Sequence, residues 1–223
     1  MIKDLLTWLL KWSEVWALLI PLLVLLIHPK QPAQLKPVII YLWMALVINI
    51  AADLIASFKI HFPDWAQSNN PLYNIHSIVR LTCFSCFFIA LQQPSFTQIK
   101  KLLPFIASGF IIINFTFFDD FFYAGNLSGN LLTVEAYLLL VYCMVYYLSG
   151  LNEEEKVLTS GFDFWVVTGL GIYVVINFFI FLFYVPMITQ NAQLAVAMWR
   201  VHNIAYIILC IFLAKAFYAV TTA

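Results

Sequence analysis

Seven apolar runs, each close to the length of a bilayer-crossing helix, make up most of this chain. They cover residues 12–28, 38–58, 71–92, 102–118, 130–149, 162–185 and 194–216, separated by breaks rich in Pro, Asn, Gln and Lys. A helix needs roughly 20 apolar residues to cross the hydrocarbon core. The rest of the chain is too short for a sizeable soluble domain. Of the 223 residues, 64% are hydrophobic and 10% charged, whereas a soluble domain is about half apolar and a quarter charged. The expected fold is therefore all-α: a single domain over residues 1–223, built as a bundle of seven transmembrane helices in a polytopic membrane protein. Pro21 is expected to kink the first span. Ser160 and Asp163 have the spacing of a capping box at the start of the sixth.

The loops set an expected orientation. Lys30, Lys36, Lys100, Lys101, Lys156 and Lys215 fall on one face, and Lys3, Lys11 and Lys59 on the other. Positive charge stays on the cytoplasmic side, which places the N-terminus outside and the C-terminus inside. The formal net charge of zero gives no footprint for a nucleic-acid partner; membrane lipid is the partner the composition implies.

Threaded this way, the polar residues within the runs gather at one depth. Asn49, Asp53, His76, Arg80, Asn114, Glu135, Asn177, Arg200 and His202 all land in the outer half. Intramembrane charges normally face a bundle interior and pair with one another. His76 and Arg80 are four residues apart, on one helical face with Tyr73; Tyr173 and Asn177 repeat that spacing in the sixth span. Arg200 and His202 point roughly 160° apart at 100° per residue, so one of them must turn away from any shared pocket. Glu14 falls at the outer interface or just inside it.

These residues have two competing uses. One is a buried ion-pair network, with Asp53 or Glu135 neutralising Arg80 and Arg200. An arginine at mid-membrane costs at least about 2.5 kcal/mol, while an interhelical polar bond returns only about 0.6–2. Stability alone is a weak reason to keep two of them, which favours a binding role. The candidate ligand site is Asn49, Asp53, Tyr73, His76, Arg80, Glu135, Tyr173, Asn177, Arg200 and His202. Guanidinium groups fit carboxylate or phosphate and histidines change charge near neutral pH, so a small polar or anionic ligand is expected, read by a receptor or sensor that signals through a partner protein. The alternatives are a small SWEET-like carrier with three-plus-one-plus-three helices and a membrane-embedded hydrolase. The carrier reading rests on a weak repeat, Tyr73…His76 against Trp199…His202. No nucleophile motif supports a hydrolase, and whether the chain is an enzyme stays open.

No cofactor or metal is expected. Each histidine stands alone on its span, and neighbouring arginines disfavour a cation such as zinc. Lys215 comes too late in its span for a retinal linkage and reads as an interfacial anchor. Cys83 and Cys86 read as packing residues.

Three stretches carry a family likeness: Asn69 to His76, Phe162 to Tyr173, and Trp199 to Ile204. Together they resemble a group of seven-helix inner-membrane proteins of Bacteroidetes bacteria. The resemblance implies a multi-pass protein of the bacterial inner (plasma) membrane and brings no activity with it. That group is expected to carry an acid where Arg80 stands, which would give this chain's pocket a different charge.

Overall fold

The computed structural model describes residues 8–63, 67–91, 96–121, 127–151 and 161–220. Among them there are helices and no strand. In chain order these are α1 (Ser13–Ile27), α2 (Lys36–Ser57), α3 (Asn70–Ala90), α4 (Thr97–Ile113), α5 (Gly129–Leu151), α6 (Phe162–Gln190) and α7 (Ala192–Ala219). Six, α2 to α7, are long and apolar enough to cross a membrane, while α1 is a shorter apolar helix of 15 residues. Their outward faces carry Val47, Phe105, Phe117, Leu148 and Phe179 in the open. So much exposed apolar surface suits lipid and not water, as a polytopic membrane bundle requires.

Helix starts follow local chemistry. Pro37 and Pro71 occupy the first turns of α2 and α3, where a missing N–H costs nothing. The Asn191 side chain accepts from the Leu194 N–H at 3.1 Å and caps α7. The expected capping box is not testable here, because Ser160 lies outside the described residues. Asp163 instead accepts a bond from the Tyr146 hydroxyl at 3.1 Å, joining α6 to α5.

Pro21 and Pro186 lie inside helices. Helix α1 runs through Pro21 without a break, and its interruption falls at Trp12, a turn that separates it from helical residues 8–11. Helix α6 passes Pro186 and continues to Gln190, five residues beyond the expected end. A proline removes one helical bond, and packing against neighbouring helices allows a helix to tolerate that within a membrane.

The bundle alternates up and down. Helix α7 packs along both α6 and α1, α5 lies against α6 and α3, and α2 lies along α3. Helix α4 is peripheral and ends in a π-turn, Asn114–Phe118, closed by the Asp119 N–H donating to the Asn114 carbonyl at 2.8 Å. The α6–α7 approach depends on Gly169, where an added Cβ would collide with the Phe212 side chain.

Lys215 is exposed, with Nζ 5.5 Å from the ring centroids of Trp165 and Tyr218. The CxxC pair splits: Cys83 is buried in the core and Cys86 points out of the bundle.

Candidate functional site

The starts of α1, α3, α5 and α7 meet the ends of α2 and α6 at one end of the bundle, which brings most of the intramembrane polar residues together. At the centre is an ion pair. Arg80 on α3 and Glu135 on α5 are 3% and 1% exposed. The Arg80 Nη2–H donates to Glu135 Oε2 at 2.8 Å, and its Nε–H donates to Oε1. The Ser77 hydroxyl donates to the same carboxylate. The pair is a two-point fork, the geometry that makes arginine–carboxylate contacts strong. The guanidinium also lies 5.0 Å from the Tyr173 ring centroid, within cation–π range.

A second polar cluster surrounds His202 on α7. Its Nδ1 shares a 2.5 Å hydrogen bond with Asn177 Oδ1 on α6, and its Nε2 is 3.6 Å from Glu14 Oε1 on α1. His76, four residues before Arg80, stacks on Tyr41 with centroids 5.8 Å apart. The hydroxyls of Tyr41 and Tyr206 are 3.4 Å apart beneath it.

Between these clusters lies a closed chamber of about 10 Å³, lined by Glu14, Tyr73, His76, Arg80, Leu132, Phe181, Trp199, His202 and Tyr206. A cavity that small has room for one water molecule at most. Glu14 Oε1, His76 Nε2 and the Tyr173 hydroxyl are buried without a hydrogen-bond partner among the described residues. A wider vestibule of about 310 Å³ lies alongside, lined by Asn69, Asn70, Tyr73, Leu127, Tyr184, Val185, Ile188, Thr189 and Trp199. Tyr73 and Trp199 belong to both walls. Their rings meet edge to face at 5.5 Å and form the partition.

Of the ten expected site residues, Tyr73, His76, Arg80, Glu135, Tyr173, Asn177 and His202 converge here. Asn49 is buried nearby and donates to the Glu14 backbone carbonyl at 2.9 Å, a helix clasp in place of a lining role. Asp53 is half-buried, with Oδ2 unpartnered among the described residues, and lies close enough to Glu14 and Lys11 to interact through space. It does not neutralise Arg80; Glu135 does. Arg200 is exposed on the outer side of α7, and His202 takes the inward direction. The helical angle required one of the two to turn out, and the ring of Trp199, tilted over His202 at 4.8 Å, holds the imidazole inside.

Asn114 belongs to a separate network at the same end, where its amide donates to Asp119 Oδ2 and to the Ser128 hydroxyl, each at 3.1 Å. Sequence reasoning omitted Glu14, Trp199 and Tyr206 from the site. Glu14 stood too near an interface to look buried. Trp199 and Tyr206 bracket His202 at three and four residues, a spacing that puts all three on one face.

Fold and site together define a polytopic helical membrane bundle with a polar centre buried at one end. The chain matches no protein-family model, no curated protein sequence and no solved structure. Among the described residues no group of three or more His, Cys, Asp or Glu is placed to hold a metal ion.

Proposed function

We propose that this protein binds a small polar ligand in the chamber between α1, α3, α6 and α7, and acts as a membrane receptor or sensor for it. One observation carries the reading: Glu14 and His76, on two helices that line the chamber, each hold an unpartnered buried polar atom, and Tyr173, with its ring 5.9 Å from His202, holds a third. Orphaned buried polar groups are rare in native proteins and cost about 1–3 kcal/mol each. Their convergence is what a site held in its empty, closed form looks like. The floor beneath is packed by Tyr41, Phe84 and Tyr206, all nearly fully buried. That favours a sensor open to one face over a carrier with a path through the bundle.

An anionic ligand fits this geometry less well than a neutral or cationic one. Glu135 already holds Arg80 by two bonds, and Arg200 faces away. The expected role of the two guanidiniums is therefore left without a free donor pair in the chamber.

Tyr173→Phe tests the reading. It removes a hydroxyl that bonds to nothing among the described residues. Thermal stability is expected to hold or rise slightly, while stabilisation by a bound ligand falls. Detergent-solubilised protein and this variant would be melted against a panel of small carboxylates, phosphates, nucleosides and amines, since a ligand stabilises by mass action. A large loss of stability in Tyr173→Phe, with no stabiliser found for either protein, would make the network purely structural.

The reading includes seven spans, with α1 and the helical residues before it as the first, the N-terminus outside and the site in the outer half. The supports are the lysine bias and about 30 Å of nearly continuous helix from residue 8 to 27 at 1.5 Å per residue. In a bacterium, a fluorescent protein fused to the C-terminus should mature in the cytoplasm; maturation of a periplasm-competent reporter alone would reverse the orientation. The likeness to Bacteroidetes inner-membrane proteins rests on its three short motifs and places the protein, by proposal, in that membrane.

A further inference from the structure

The charge around the chamber is unbalanced. Arg80 and Glu135 cancel within their fork. Glu14 remains, 7% exposed, with Oε1 3.6 Å from His202 Nε2 and Tyr73 beside the same carboxylate; Asp53 lies close by, outside the chamber lining. Lys11, exposed and also outside the lining, offsets Asp53, so Glu14 is the carboxylate left without a counter-charge. With neutral histidines the region therefore holds surplus negative charge.

The vestibule beside it is aromatic. Trp199 lies between Tyr184, at 5.0 Å, and His202, at 4.8 Å, with Tyr73 edge-on at 5.5 Å. Asn69, Asn70 and Thr189 complete the wall with no charge. Three electron-rich rings around a space, backed by a carboxylate, match the way proteins hold ammonium groups. Trp and Tyr are also common at membrane interfaces as lipid-facing anchors. These rings line a partly open recess of about 310 Å³, the size of a small-molecule site.

We infer that the ligand class is a small organic ammonium, its cationic head held by Trp199, Tyr73 and Tyr184 and directed at Glu14. This rests on the binding role proposed above and specifies its chemistry. The head displaces the edge contact between Tyr73 and Trp199 to reach the carboxylate.

The test uses choline and tetramethylammonium, with 3,3-dimethylbutan-1-ol as the uncharged isostere of choline, and acetate and phosphate as anions. Full-length protein in detergent is melted across each concentration series. Saturable stabilisation by the two ammonium compounds is expected. Glu14→Gln and Trp199→Leu should each raise the half-saturating concentration on the order of tenfold, and Trp199→Phe, which keeps a ring, should recover most of the loss. Repeating the series in phosphatidylglycerol and phosphatidylcholine nanodiscs separates the two sources of the group. If a lipid headgroup is the natural occupant, choline stabilises in the first and not the second; if a free ammonium compound is, it stabilises in both. Equal stabilisation by the uncharged isostere overturns the inference, as does unchanged choline binding in folded Glu14→Gln. Binding of an anion without choline overturns it and leaves the binding role standing. Failure of every probe overturns both.

Discussion

Arg80→Leu is expected to lower stability by about 3–5 kcal/mol, because it strands the Glu135 carboxylate without its partner inside the bundle. Glu135 is 1% exposed and keeps only the Ser77 hydroxyl once the guanidinium is gone. The double variant Arg80→Leu with Glu135→Gln removes the orphaned charge and should restore most of the melting temperature and yield. Asp53→Asn in place of Glu135→Gln should restore nothing, since Asp53 does not contact the guanidinium. Thermal melts of the three variants in one detergent decide it. Rescue by Asp53→Asn, or none by Glu135→Gln, would mean that the charges are paired differently from the structure.

Gly169→Ala should be a costly single-methyl addition. The new Cβ would overlap the Phe212 side chain of α7. Small residues let membrane helices approach, and forcing extra volume into a packed interface costs about 1–3 kcal/mol. Gly171, two residues on, gives a control: a Cβ there meets only Cys143 at an ordinary 3.9 Å. Gly171→Ala should melt near wild type while Gly169→Ala melts well below it. Trimming the obstacle with Phe212→Leu should recover part of the loss. Equal melting of the two glycine variants would show that α6 and α7 do not pack on Gly169.

The helices and the shared depth of the polar residues were legible because both follow from local pattern. Apolar runs of span length have one folded form in lipid, and alternation of direction puts Asn49 and Asn177, late in their spans, level with His76 and His202, early in theirs. The four-residue spacing of His76 and Arg80 put both on the inward face of α3. Choices settled by packing between distant segments were not legible. Asp53 and Glu135 were equal candidates for Arg80 until α5 was seen against α3. Arg200 and His202 were equal candidates for the interior until the rings of Trp199 and Phe181 enclosed one of them. The break at Trp12 was hidden because Pro21 is the stronger local breaker. Trp12 turns where side chains from elsewhere can take up the freed carbonyls: Ser13 and Asn203 both donate to the Leu10 carbonyl, at 2.7 and 2.9 Å, and the Trp16 indole donates to that of Leu9 at 2.8 Å.

Those last bonds bear on how this protein can change over generations. The start of α1 is held by its main-chain oxygens, which every amino acid possesses. Residues such as Leu9 and Leu10 can drift among apolar types without losing a tether. The burden of inheritance falls on the donors, Ser13, Asn49 and Asn203, all buried, where a replacement without an N–H or O–H removes a tether between helices. In any lineage of this chain, Leu9 and Leu10 should vary in spelling while Ser13 and the distant asparagines that hold this segment stay the same.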